Sequence, residues 1–203
     1  GMMMVAGHAA SCFEARQKEF DADAYEIYIS GSDDFAGTTK QLRVLAAAYS
    51  MTMDHLRDSW QDRRLSDDLP RMVAVNAAGI SDERRRQIQR LALTEKSEWH
   101  ATHPSDAERI AAAGRLALPG ILHDERPAAV LFANLKQLNQ QATTAILKEL
   151  LEEEFDQAQL VPVEVLVREQ KQTEAAYDAI RRYFQGEFIA TRPHWPEADA
   201  GEP

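Results

Sequence analysis

Three charged residues near the start of the chain, Arg16, Glu19 and Asp23, have types and a spacing suited to metal chemistry. On a helix they lie at i, i+3 and i+7, so the guanidinium and both carboxylates fall along one face. Carboxylate oxygens bind divalent metals, and a second carboxylate can orient a neighbouring ligand. The alternative is a solvated charged face, the usual meaning of such a pattern, so the spacing alone does not establish a metal site.

A second candidate segment lies downstream, where His103 follows His100 by three residues. Ser105 and Glu108 have the spacing of a capping box, which predicts a helix continuing to about Leu116. His103 therefore lies in a loop that leads into a capped helix. A pair of histidines three residues apart in a loop is a weak metal signal without further ligands.

The elements that must position these residues are predicted to be helices. Hydrophobic periodicity, capping residues and helix-breaking residues divide the N-terminal part into separate helical segments. These segments are 9–29, 38–63, 70–78, 81–93 and 105–116.

The C-terminal part is also predicted to be mainly helical. The pattern over 128–153 predicts a core helix, because its apolar residues recur at three- and four-residue steps. Those residues are Val130, Leu131, Leu135, Leu138, Ala142, Ile146 and Leu150. A last helix is predicted over 168–184, and the β-branched stretch 160–167 allows at most a short edge strand, which Pro162 would interrupt.

These elements predict a mainly α, bundle-like fold in three parts. A helical region over 2–118 carries both candidate segments, a helical region over 119–190 packs on it, and 191–203 forms a loose tail.

The composition excludes several classes of protein. The 203 residues carry a formal charge of −10, which argues against unaided binding to nucleic acid or an anionic membrane. The single cysteine excludes an intramolecular disulfide. Because the sequence has no apolar run of roughly 18–20 residues, it is expected to be soluble as written.

Two motifs resemble one known family. The stretch 16–23, Arg-x-x-Glu-x-x-Ala-Asp, is followed by Ile-Ser-Gly-Ser at 29–32 and a leucine-rich helix. It resembles the third-ligand helix of the HtpX-like and CAAX-prenyl-protease-like zinc metallopeptidases. The stretch 101–110, with His-Pro at 103–104 and Arg-Ile at 109–110, is similar to a Ser/Thr-His-Pro segment that follows this helix in the same family.

The resemblance implies roles for four residues. Glu19 would be the third zinc ligand, Asp23 would orient a ligating histidine, and Arg16 would be a neighbouring structural charge. His103 would approach the metal or line the cleft. In the family an upstream HExxH helix supplies two histidine ligands and the glutamate that activates water, and the substrate is a protein or peptide.

The chain departs from this family because it contains no HExxH. It therefore lacks two of three ligands and the general base, so we expect no proteolysis and no tight zinc binding by this chain alone. Its apolar start, 2–6, favours the C-terminal part of a longer membrane peptidase, attached to the membrane only through upstream segments. The alternative is a degenerate relative that kept the scaffold.

Two other functions remain open. The chain could be a non-catalytic interaction module or homo-oligomer that uses its first helices or the acidic stretch 152–154. It could also be a soluble metal-binding protein in which His100, His103 and Glu19 come together.

Overall fold

The computed structural model describes residues 2–94, 97, 101–156 and 159–184, with side chains from residue 7 onward. The described residues confirm the predicted mainly α fold. They form α1 (Met2–Ser30), α2 (Ser32–Gln61), β1 (Leu65–Ser66), α3 (Leu69–Gly79), α4 (Asp82–Thr94), α5 (Asp106–Leu116), α6 (Leu135–Leu151), β2 (Leu160–Val161) and α7 (Val163–Tyr183), with 3₁₀ turns at Ala128–Leu131 and Glu152–Glu154.

The first two helices are separated by a single residue, Gly31. Its φ of +97° is a backbone conformation that side-chain-bearing residues rarely adopt. α2 therefore begins at Ser32, earlier than the predicted start at 38, and two aspartates occupy its positively polarised first turn.

α2 is the central helix, in contact with α1, α3, α4 and α5. Its buried residues reach three apolar clusters along its length. Phe35 packs with Ile27 and Ala113, Val44 packs near the start of α4, and Leu56 packs with α3, α6 and α7.

Side chains cap the starts of α3, α4 and α5, and the cap of α5 is the one predicted from the sequence. The Asp68 side chain accepts a hydrogen bond from the Arg71 N–H, and Pro70 lies in the first turn of α3. The Ser81 hydroxyl accepts one from the Arg84 N–H at the start of α4. Ser105 and Glu108 form the complete capping box.

The short edge strand predicted within 160–167 is present, and it ends before Pro162 as expected. Leu160 and Val161 pair in parallel with Leu65 and Ser66, and the chain is helical from Val163. Pro162 immediately precedes α7, where a proline needs no backbone donor. The last helix therefore begins five residues before the predicted start at 168.

The prediction of one core helix over 128–153 was wrong in its bounds and in its buried face. A 3₁₀ turn occupies 128–131, and α6 begins only at Leu135, after the Asn134 cap. The buried residues of α6 are Thr143 and Leu147. Five predicted core residues are instead exposed: Val130, Leu131, Leu138, Ile146 and Leu150.

The α1–α2 turn is held by the segment that follows α5. The Ser32 N–H donates to the Leu118 carbonyl at 2.9 Å, and the Leu118 N–H donates to the Ser32 hydroxyl at 3.0 Å. The backbones of Gly31 and Gly120 approach so closely that a Cβ on Gly120 would lie 2.6 Å from the Ser30 carbonyl carbon.

The C-terminal helices α6 and α7 both contact α3. The predicted tail 191–203 lies outside the described residues. Within the part of the chain that is described, no helix is both long and apolar enough to cross a bilayer.

Candidate functional site

Helix α1 carries a charged stripe formed by Arg16, Glu19 and Asp23. This stripe faces the segment that leads into α5. Each of its three residues contacts a residue of the downstream motif, more than eighty positions along the chain. The two motifs identified in the sequence are therefore in direct contact, although neither spacing required it.

The most buried of these contacts joins Asp23 to Arg109. The Asp23 carboxylate is 4% exposed and accepts two hydrogen bonds from the guanidinium, 2.8 Å from Nε and 2.5 Å from Nη2. Such a bidentate pair fixes both distance and orientation. Hydrogen bonding to the Asp23 carboxylate, together with its charge, raises the pKa of the Arg109 guanidinium.

The Arg109 guanidinium also lies over the Phe35 ring of α2, 5.5 Å from its centroid. Arg43 of α2 forms an ion pair with the buried carboxylate of Asp106, the first residue of α5. These contacts tie α1, α2 and the start of α5 together at one point.

Glu19 and His103 meet at the more open part of the stripe. His103 Nδ1 lies 2.9 Å from Glu19 Oε1, and the two side chains are 75% and 38% exposed respectively. Because an ionised carboxylate can only accept, the ring nitrogen donates in this contact. Both side chains are accessible to a ligand from solvent.

Arg16 binds the capping glutamate of α5. Its Nη2 donates to Glu108 Oε1 at 2.8 Å, while Glu108 Oε2 accepts from the Ser97 hydroxyl at 2.6 Å and from the Ser105 N–H at 2.9 Å. The Ser97 hydrogen bond is the main reason that the pKa of Glu108 is lowered, with the Ser105 N–H and Arg16 adding to it. The Ser97 hydroxyl also lies 3.2 Å from the His103 carbonyl, so the same cluster holds the His103 loop.

The described residues do not supply a full set of metal ligands. Glu19 and His103 are chemically suitable zinc ligands, whereas Asp23 and Glu108 are engaged by arginines. Nowhere in the described ranges do three or more His, Cys, Asp or Glu side chains lie together as a metal would need. His100, the remaining member of the predicted three-residue metal site, lies outside those ranges.

Sequence reasoning identified the four stripe and loop residues but missed their partners. The Ser105-x-x-Glu108 spacing predicted the helix cap. It did not predict that Glu108 also binds Arg16. Arg109 belonged to the downstream motif, yet only its buried position opposite Asp23 reveals its contact. Ser97 carried no sequence signal.

Comparison with protein-family models, curated proteins and solved structures finds no significant match to this chain.

Proposed function

We propose that this chain is the third-ligand side of an HtpX-like zinc metallopeptidase, with Glu19 as a zinc ligand. The observation that carries the proposal is the contact between Glu19 and His103, which brings the zinc-ligand types of the two motifs together on an accessible surface. In the complete enzyme the metal would support hydrolysis of a protein or peptide bond.

The distances are compatible with this role. Two ligands of one tetrahedral zinc lie roughly 3.3–3.6 Å apart, given metal–ligand distances of about 2.0–2.2 Å. His103 Nδ1 and Glu19 Oε1 are 2.9 Å apart, so in this chain alone a small outward movement and loss of the Nδ1 proton would allow both to bind one ion. In the complete enzyme Glu19 would be the third ligand and His103 would line the cleft, which leaves the fourth position open. Asp23 would act from one turn away, since a carboxylate that binds Arg109 can still accept from a ligating histidine ring.

The described residues do not complete a catalytic zinc site, which needs three protein ligands and an open position. The absent HExxH would provide two histidines and the base, so the proposal places catalysis in a longer protein. This chain alone is proposed to be inactive.

Zinc titration of the purified chain tests the Glu19 assignment. We expect weak zinc binding that is lost in Glu19→Ala and His103→Ala and kept in Glu14→Ala, a matched exposed glutamate on the same helix. Tight one-to-one binding that survives Glu19→Ala would overturn the assignment.

The coding sequence upstream of Met2 tests the larger proposal. An in-frame HExxH with bilayer-length apolar segments supports it, and Glu19→Ala in that full-length protein should then abolish peptidase activity. A stop codon directly upstream would show that the peptidase proposal fails.

A second candidate function is a non-catalytic interaction or oligomerisation module. The observation that favours it is the exposure of three aromatic side chains on α1, where Phe13, Tyr25 and Tyr28 are 72%, 76% and 57% exposed. Aromatic residues are enriched at protein–protein interfaces relative to the rest of the surface.

Light scattering at micromolar concentration tests this second function. We expect a defined oligomer that dissociates in Tyr25→Ser combined with Tyr28→Ser, while Asp21→Asn on the same helix leaves it intact. A strict monomer before any substitution would exclude self-association.

A further inference from the structure

A cavity of about 420 Å³ lies between the C-terminal half of α2 and α7, apart from the Glu19–His103 contact. Its size falls in the range of small-molecule sites, about 300–1,000 Å³. Buried Met72 and Leu166 contribute apolar surface, and the Tyr177 ring lies at the α7 side. The cavity can therefore accept an apolar stem as well as polar groups.

The charges of the cavity are mostly negative. Four carboxylates line it, those of Asp58, Asp62, Glu169 and Glu174, against the single guanidinium of Arg64. With histidine counted as neutral, the side chains that line the cavity carry a net charge of −3. Arg64 is itself engaged, because it donates two hydrogen bonds to Glu169 at 2.8 and 3.0 Å. An anionic ligand is therefore disfavoured and a cation is favoured.

Two unsatisfied polar atoms belong to residues of the same cavity. Across the described residues, the buried side-chain atoms without a hydrogen-bond partner are His55 Nδ1 and Gln170 Oε1. Both residues line this cavity. A buried polar atom without a partner costs about 1–3 kcal/mol, so two such atoms at one place call for an explanation.

The orientation of the Gln170 amide is fixed by its neighbours. Its nitrogen donates to Asn76 Oδ1 at 3.2 Å and to Glu174 Oε1 at 3.1 Å, and Asn76 in turn donates to Thr52 at 2.8 Å. Because both acceptors require the nitrogen on that side, the unsatisfied oxygen is a genuine acceptor. It can accept a hydrogen bond from an N–H or O–H group that reaches it.

A metal ion fits these observations less well than an organic cation. No three carboxylates or histidines among the described residues are grouped closely enough to hold one ion. The carboxylates instead line the cavity together with the apolar side chains of Met72 and Leu166. A cation whose charge is carried by N–H groups on an alkyl chain matches both the charge and the apolar surface of the cavity.

We propose that this cavity binds an alkylammonium cation, whose ammonium groups contact the carboxylates while its alkyl chain lies against Met72 and Leu166. The chemistry is shared by free polyamines and by lysine side chains of a peptide. The proposal is independent of the peptidase site.

Isothermal titration calorimetry of the full chain in 150 mM salt tests the proposal, with spermidine and a lysine-containing tripeptide as probes. We expect Asp58→Asn combined with Asp62→Asn to weaken binding about tenfold or more, as expected when hydrogen bonds to charged groups are lost. Glu14→Gln combined with Asp21→Asn makes the same charge change on α1 and should leave the affinity within about twofold. Gln170→Leu should also weaken binding, with circular dichroism confirming that the variant is folded.

Each outcome bears directly on the proposal. Tighter binding of spermidine identifies a free polyamine as the source, and tighter binding of the tripeptide identifies a lysine side chain. If the cavity and α1 variants weaken binding equally, the effect comes from the overall protein charge, and the proposed cavity site is wrong. Failure of both probes to bind would also overturn it.

Discussion

At the residue scale, the three contacts of the α1 stripe differ in burial and therefore in what they do. Asp23 with Arg109 is buried and bidentate, whereas Glu19 with His103 is exposed. Buried charge pairs fix geometry, and exposed pairs contribute little to stability and remain free to exchange partners. Asp23 therefore positions the α5 start, and Glu19 and His103 are the residues available to a ligand.

Asp23→Asn should strongly destabilise the fold, because it leaves the Arg109 guanidinium without its charge partner. We expect a loss of about 2–4 kcal/mol in the free energy of unfolding, reduced from a fully buried pair because Arg109 is 28% exposed. Urea denaturation measures it. Asp21→Asn, an exposed change on the same helix, is the control, and equal losses in the two variants would contradict the assignment.

Glu108 should make folding stability depend on acidity. Its pKa is lowered in the folded protein from the usual 4.5, first by the Ser97 hydroxyl. The stabilisation is therefore fully present above pH 4.5 and is lost as the pH falls through the lower folded-state pKa. Denaturation midpoints measured across this acidic range should fall less steeply in Glu108→Gln than in the unmodified chain. The exposed change Glu149→Gln should leave the slope unchanged, and identical slopes in all three proteins would argue against this role.

At the element scale, the contact between the α1–α2 turn and the segment after α5 depends on two glycines. Gly120→Ala would bring a Cβ within 2.6–2.7 Å of the Ser30 and Gly31 backbones, at a φ of +79°. We expect a loss of about 2 kcal/mol or more, measured by thermal unfolding. Gly114→Ala is the matched control, since nothing lies within 4 Å of that position on α5. It should be neutral or stabilising by up to about 1 kcal/mol, and a loss as large as that of Gly120→Ala would refute the steric argument.

Local signals predicted the elements better than their packing. Helix ends depend mainly on residues close in sequence, so the sequence located several of them well. Examples are the cap at Ser105, the proline in the first turn of α3 and the glycine after α1. The face that α6 buries is decided by Leu147 packing against distant helices, and periodicity cannot specify that choice. For the same reason, the stripe on α1 was recognisable but its partners on α5 were not.

The buried face of α6 can be tested directly. Leu147→Ala should cost about 2–5 kcal/mol, because it empties a fully packed position. Leu138→Ser combined with Ile146→Ser changes two residues that are 44% and 43% exposed, so it should cost clearly less. Chemical denaturation of both variants measures the difference, and the reverse order would mean that the predicted apolar face is the core.

At the scale of the whole molecule, the two regions of interest are separate and are tested by different ligands. The Glu19–His103 surface lies between α1 and the loop that precedes α5, and the acidic cavity lies between α2 and α7. Zinc and an alkylammonium cation should therefore bind without competing. Competition between them would instead indicate that the alkylammonium cation is attracted only by the overall protein charge of −10.

The hydrogen bond from Leu118 to Ser32 joins residues 86 positions apart, and this separation has a consequence for folding kinetics. Closing so long a loop lowers the entropy of the chain before the contacts at its ends can stabilise it. We therefore expect this junction to form after the helices on either side. Gly120→Ala should then accelerate unfolding and leave the refolding rate nearly unchanged, which stopped-flow measurements in denaturant can establish. The junction would thus control the unfolding rate of the chain more than its folding rate.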